Sequence, residues 1–217
     1  MGSSFHRCLW CSSSLGATLR RWGRVVSETT KVWARVPFGD AALVGDPKRH
    51  LDREELLVAL GEAEDLFATP AGCLEAIVLR RAEGGRSQPA TAELSTTGGL
   101  LGDRWSEGKA HRGDQVSMMN VHVAARIANQ QSIALFGDNL FTDLDIRERA
   151  LPEGSRVQIG GAVLRVSSTP HVPCDRFRAR FGHAAFVMAA ENHRIRGVYM
   201  TVLDGGPIAI GDPVRCC

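Results

Sequence analysis

Residues 156–166 read Arg-Val-Gln-Ile-Gly-Gly-Ala-Val-Leu-Arg-Val, and this stretch decides the fold class. Apolar and polar residues alternate on both sides of Gly160-Gly161, which is the period of a strand half-buried against a core. Two glycines between such runs suit a two-residue primed turn, whose twist matches that of the strands it joins. Folded across that turn, Val157, Ile159, Ala162, Leu164 and Val166 share one face, while Arg156, Gln158 and Arg165 share the other. The stretch is an antiparallel hairpin with one wet face.

The same grammar extends to either side. A second hairpin is expected at 197–210, where Val198 to Leu203 turns at Asp204-Gly205-Gly206 and returns through Ile208 and Ile210. Leu74–Arg80 and Ala90–Leu94 read as further short strands. Helices are few. One near 52–68 has Asp52 as its cap with Glu55 three residues on, and Leu56, Leu57, Leu60, Ala63 and Phe67 at helical spacing. Asn120 caps another over Val121–Gln130, and a short helical region falls near 175–191. Many short strands with few helices predict a mainly β, β-barrel-like domain with a few short helices. That domain spans 72–215, with a helical lead-in over 51–71 and an N-terminal extension over 1–50 that is disordered or a targeting segment.

Composition narrows the function. The chain has 217 residues, 26 Lys+Arg against 24 Asp+Glu, and 44% apolar residues, so it can build a core. A net charge of +2 gives no general field for nucleic acid or anionic lipid. No apolar run approaches the ~20 residues needed to span a bilayer. Neither a nucleic-acid nor a membrane partner is therefore expected. Residues 1–30 hold Arg7, Arg20, Arg21 and Arg24 against Glu28, an Arg-rich, Ser-rich start; the expected location is cytoplasmic, with a mitochondrial alternative should this be a transit peptide. Six cysteines (Cys8, Cys11, Cys73, Cys174, Cys216 and Cys217) are too few and too scattered for a disulfide scaffold and read as reduced thiols. Phosphate-loop, dinucleotide-binding glycine and Gly-x-Ser-x-Gly signatures are all absent from the sequence.

Cys174 has the most telling surroundings. It lies in Pro170-His171-Val172-Pro173-Cys174-Asp175-Arg176, after a well-formed strand and before a helix, with Arg176, Arg178 and Arg180 following at alternate positions. A helix start and neighbouring guanidinium groups favour the thiolate, the form that binds soft metals or attacks. Arg178 and Arg180 read as a solvated helix face, and His122 as a packed histidine.

The order of motifs resembles the MOSC family, named for the C-terminal domain of molybdenum cofactor sulfurase. Gly98-Gly99-Leu100-Leu101-Gly102-Asp103-Arg104-Trp105 is similar to its glycine-rich opening motif, and Gly137-Asp138-Asn139-Leu140-Phe141-Thr142 to its asparagine motif. Leu151-Pro152-Glu153-Gly154-Ser155 leading into Ile159-Gly160 resembles its next strand, Pro173-Cys174 its Pro-Cys signature, and Arg196–Tyr199 through Gly211–Val214 its closing strands. The resemblance covers about 72–215.

The resemblance implies a β-barrel that binds the molybdenum cofactor, a pterin bearing a dithiolene and a phosphate. It further implies a molybdenum-dependent oxidoreductase acting on small N-hydroxylated substrates, with electrons from a redox partner protein. Carried onto this chain, Cys174 becomes the molybdenum ligand, and Asn139 orients the cofactor or its oxygen ligands. Arg104, Arg176 and Arg196 become candidates for the phosphate or pterin, since guanidinium forks suit phosphate. His111, Arg112 and His171 are secondary candidates beside the cofactor or substrate. Arg104 also stands next to Asp103, an alternative partner. Two departures from the family pattern matter: Asp138 sets a negative charge beside the phosphate site, and Asp143-Leu144-Asp145 replaces a glycine. Pyridoxal phosphate is not expected, because the sulfurase's aminotransferase-like domain is missing. Two other readings compete: a sulfur carrier holding a persulfide on Cys174, and a non-catalytic zinc-stabilised binding module built on Cys8-x-x-Cys11 and His171-x-x-Cys174.

Overall fold

The computed structural model describes residues 45–81, 84–107 and 114–217. The N-terminal tail with Cys8 and Cys11, and the candidates His111 and Arg112, lie outside the described residues. The deciding hairpin forms as its alternation dictates: β8 (Arg156–Ile159) pairs with β9 (Ala162–Pro170) in the register Val157↔Leu164 and Ile159↔Ala162. All five apolar residues of the inner face are buried, while Arg156, Gln158 and Arg165 are exposed.

That hairpin is part of a closed seven-stranded barrel. Its order runs β1 (Ala71–Ile77), β12 (Pro213–Cys216), β8, β9, β10 (Val198–Asp204), β6 (Val116–Asn120) and β7 (Leu140–Thr142), then back to β1. The β6–β7 pair alone is parallel. Closure leaves no open sheet edge in the barrel. Two apolar cores follow from the two faces of the wall. The inner one gathers Leu74, Ile77, Met118, Leu140, Leu164, Met200 and Val214. The outer one sets Ala76, Val78, Met119 and Phe141 against three helices, α1 (Arg53–Glu64), α2 (Val121–Ala128) and α3 (Asp175–Glu191).

The helix caps match the sequence reading. Asp52 Oδ1 accepts from the Glu55 amide at 2.9 Å and Glu55 Oε2 accepts from the Asp52 amide at 2.9 Å, a complete capping box. Asn120 Oδ1 accepts from the His122 and Val123 amides. Helix α3 is a 17-residue element rather than a short one, and it bends at Gly182, whose φ of 91° a side-chain-bearing residue rarely adopts. At the bend the chain passes close to His50, whose Cβ would lie 3.0 Å from a Cβ at position 182.

Three expectations are corrected. The segment 197–210 is not a hairpin. Both edges of β10 are already taken, by β9 and β6, so β11 (Gly206–Ala209) pairs with β4 (Thr91–Ser95), which also holds β5 (Gly99–Leu100). Residues 45–50, assigned above to the extension, are packed: Pro47–Arg49 forms a 3-10 turn, and Asp46 and Arg49 bond to Gln131 and Gln130 after α2. Cys73 is disulfide-bonded, so the reading of every thiol as reduced does not hold there; Cys174, Cys216 and Cys217 are free. No described helix is long and apolar enough to cross a membrane.

Candidate functional site

Beside strands β6, β9 and β10, α3 covers a cavity of about 190 Å³. Its walls bring together four of the residues singled out by sequence around Cys174: Arg104, Arg176, Arg196 and His171. They also bring in residues that sequence reasoning missed, namely Arg80, Arg86, Arg180, Ser117 and Tyr199, with Phe136 and Phe177 as the apolar part. Among the described residues, six arginines and no carboxylate line the cavity.

Each guanidinium is placed by a distinct piece of chain. Arg80 and Arg86 face each other across a two-stranded ladder, β2 (Leu79–Arg80) with β3 (Arg86–Ser87). Arg80 grips Asp103: its amide, Nε and Nη2 all bond to that carboxylate, at 2.8–2.9 Å. Asp103 is thus committed to Arg80, while Arg104 is exposed at the cavity. Arg86 donates to the Gly84 and Gly85 carbonyls, and a Cβ on Gly137 would lie 3.3 Å from its Nη2, so a glycine there leaves room for the guanidinium. Arg176 and Arg180 lie one turn apart on α3 and share a face, contrary to the expectation that Arg180 is merely solvated. Arg180 Nη1 donates to the Leu135 carbonyl at 2.6 Å. Arg178 does face solvent, where it pairs with Asp175 at 3.0 Å.

Aromatic packing fixes α3 over the cavity. Phe136 stacks on Phe181 at 4.0 Å between centroids, Phe177 tilts against Phe181 at 5.1 Å, and the Arg196 guanidinium lies over Phe177 at 5.3 Å. Arg196 is buried and bound to Asp138, with a further bond from Nη2 to the Phe136 carbonyl. The negative charge that Asp138 adds beside the pocket is thus taken up by Arg196. Asp143, one of the acids replacing the family glycine, accepts from the Cys73 amide at 2.6 Å, and Asp145 pairs with Arg147 at 2.7 Å.

Asn139 is not in the cavity wall. It is fully buried behind Ser117, where Oδ1 accepts from the Ser117 amide (3.2 Å) and Oγ (3.3 Å) and from Arg80 Nη2 (3.4 Å). Its Nδ2 donates to the Val78 carbonyl and to Asp103 Oδ1. The amide ties the Arg80–Asp103 pair to β6 rather than offering an atom to a ligand.

Crowded guanidinium groups leave their mark on the electrostatics. Burial, then repulsion from Arg180, Arg80 and Arg104, brings Arg86 down to about 10, with Asp103 opposing. Arg86 remains charged at neutral pH, so the shift records a site that favours an anion. Arg180 is also lowered, by burial and then Arg176, with Cys174 acting in the opposite sense. Asp103 is held below the usual carboxylate range: burial opposes its charge, but the bonds and charge of Arg80 prevail. His171 is pushed well below its ordinary value by burial, then by Arg196 and Arg80, and is neutral. Its Nδ1 lies 3.5 Å from Asp138 Oδ1, yet neither atom has a hydrogen-bond partner, so the neutral reading stands and Arg196 carries the pairing with Asp138.

Cys174 itself is an exposed free thiol in the N-cap position of α3, and its side chain makes no capping bond. Among the described residues, no group of three or more His, Cys, Asp or Glu side chains converges on a point that could hold a metal.

The MOSC domain family model matches residues 115–215. The chain carries a MOSC domain. Cys174, Arg176, Arg180, Arg196, His171 and Tyr199 all fall within the matched MOSC residues, whereas β1, which closes the barrel, and Arg80, Arg86 and Arg104 precede them. The fold is similar to a crystal structure of a hypothetical protein (TM-score 0.54, 19% identity, covering 71% of this chain and 70% of that one). It is also similar to YiiM from Escherichia coli (0.51, 19%, 67% and 69%) and to the YuaD protein from Bacillus subtilis (0.52, 18%, 66% and 94%). No curated protein matches the chain. At these identities the likeness concerns the MOSC fold.

The missed residues had readable signals. Arg176 and Arg180 are four apart, the spacing of one helix face, and that should have separated Arg180 from Arg178. Arg80 and Arg86 lie before the motifs that prompted the family resemblance, and only the β2–β3 pairing shows that they face the same cavity.

Proposed function

We propose that the arginine-lined cavity binds a phosphorylated molybdenum cofactor and that the protein reduces N-hydroxylated compounds, with Cys174 as the protein's ligand to molybdenum. The observation that carries this reading is a free thiol in the same cavity as six guanidinium groups. The donor set fits the group. Thiolate is a soft ligand suited to such a metal, and guanidinium forks suit a phosphate. The Nε atoms of Arg86 and Arg196 are buried without partners, as expected of side chains held ready for an anion. A single protein ligand suffices for a metal that arrives with its own dithiolene, so the reading needs no cluster of metal-ligating side chains.

Arg80, Arg86 and Arg104 would be available to hold the phosphate, and Arg180 lies near both Arg86 and Cys174. Phe136 and Phe177 supply an apolar wall that limits water. The bound cofactor supplies the two-electron redox centre that side chains lack. A redox partner protein delivers the electrons, and the substrate is a small molecule.

The test is expression in a host that makes the cofactor, followed by molybdenum analysis and assay of hydroxylamine or amidoxime reduction. About one molybdenum per chain, lost in Cys174→Ala, supports the reading; folded, active protein free of molybdenum defeats it. The exposure of Cys174 also favours a second reading, a persulfide carried on its sulfur. Mass spectrometry after incubation with a sulfur donor would show a one-sulfur adduct on Cys174 if that reading holds.

A further inference from the structure

Reduction of a hydroxylamine, R–NHOH + 2e⁻ + 2H⁺ → R–NH₂ + H₂O, consumes protons as well as electrons. The oxygen leaves as water only when a proton reaches it as the N–O bond breaks. Few groups in the cavity can supply that proton. The arginines would face the bound phosphate, whose negative charge holds their protons in place. The Ser117 hydroxyl donates to Asn139 Oδ1 at 3.3 Å, and Cys174 is assigned to the metal. His171 and Tyr199 remain, and they are in contact, with ring centroids 4.0 Å apart.

Their placement separates their roles. Tyr199, the chain's sole tyrosine, lies on β10 opposite Ser117 of β6 and is half-buried in the wall of the cavity that holds Cys174. Its neighbours Val198 and Met200 point into the barrel, so alternation turns Tyr199 outward. His171, only 4% exposed, lines this cavity and also a second one of about 200 Å³, whose walls include Glu148, Glu153 and His193. Among the described residues, it is the one common to those two linings.

We propose that the Tyr199 hydroxyl protonates the leaving oxygen, and that His171 passes the replacement proton inward from the second cavity. This rests on the N–O reduction proposed above. Two electrons come from the electron-donor protein, and the N–O bond breaks. The phenolic proton completes the water, the nitrogen takes the second proton from solvent, and the tyrosinate regains its proton through His171.

The charges around the pair suit this task. Burial, then the Asp138 and Asp114 carboxylates, raise Tyr199 above its ordinary value, while Arg196 and Arg80 act in the opposite sense. The phenol is still a stronger acid than water, whose conjugate base it must protonate. A transient tyrosinate would have Arg196 and Arg80 close by. His171 is neutral, with Asp138 facing Nδ1, and a neutral imidazole can give a proton from one nitrogen while taking one at the other.

The test uses molybdenum-loaded protein, an aryl amidoxime and reduced viologen as electron source. Tyr199→Phe should lower kcat roughly a hundredfold with KM and molybdenum content unchanged, and should abolish the solvent deuterium isotope effect. His171→Gly should lower kcat in a way that added imidazole restores. A readout independent of activity uses cofactor-free protein: phenolate absorbance reports Tyr199 alone among tyrosines, and it should titrate fully while the protein stays folded. Retention of wild-type kcat in Tyr199→Phe, or a phenol that ionises only on unfolding, overturns the assignment while leaving the reductase reading intact. A loaded wild-type protein that reduces no N-hydroxylated compound overturns both.

Discussion

Arg196 and Asp138 form an ion pair sealed from solvent, with side-chain exposures of 7% and 0%. Arg196 comes from the turn before β10 and Asp138 from the loop before β7, so the pair joins distant parts of the chain across the cavity wall. Removing one partner of such a pair leaves a buried charge uncompensated, which costs about 3–5 kcal/mol. Asp138→Ala should therefore lower the urea unfolding midpoint by that equivalent with an unchanged m-value. Losing less than about 1 kcal/mol would mean that Arg196 finds solvent or another acceptor.

Asn139 makes the opposite kind of contribution from the one its motif suggests. Each polar end of its amide bonds to more than one protein group, and one of those groups is Asp103, the anchor of Arg80. Asn139→Ala should leave buried groups of Ser117 and Val78 unpaired and cost about 1–3 kcal/mol. Asn139→Asp should be worse, because a carboxylate would replace the donor to Asp103 and set two negative charges together. Anion affinity should weaken in both variants as Arg80 loses its support, which calorimetric titration with inorganic phosphate would measure.

The barrel was legible where local pattern decides structure. Val157 to Val166 alternate about a turn, and nothing distant is needed to place them. The segment 197–210 has an equally good local pattern and was misread, because pairing is settled by which edges are free, and β9 and β6 leave none on β10. The site divides the same way. Cys174 announces itself through Pro173 and the arginines that follow, whereas Arg80 and Arg86 enter through a two-residue ladder too short to read from sequence. Asn139 was recognised by motif, but a motif does not say which way a side chain points.

His171 predicts how stability depends on pH. Burial, then Arg196 and Arg80, lower its folded value well below 6.5. As pH falls below 6.5 the unfolded chain takes up a proton that the folded chain refuses, so the unfolded state gains and stability falls. Stability from this group is present in full above about pH 6.5 and is lost as pH falls toward the folded value. Urea midpoints measured between pH 5 and 8 should decline on the acid side, and His171→Gln should flatten that decline. An identical acid slope in the variant would show that the imidazole charges in the folded protein at its ordinary value.

Cys174 allows function and stability to be separated. It occupies the N-cap of α3 with extended backbone angles, φ −116° and ψ 173°, yet its side chain makes no capping bond. Serine has the same shape, and its hydroxyl would accept from an amide of the first turn, an exchange worth about 0.5–1 kcal/mol at such positions. On stability alone, then, cysteine is the poorer choice at this position. Cys174→Ser should leave the unfolding midpoint unchanged or raise it, while molybdenum retention and N–O reduction fall to background. Cys174→Ala should lose the same function without the gain. Loss of stability in Cys174→Ser would show that the sulfur packs as a structural element, and retained reduction would remove it from the metal.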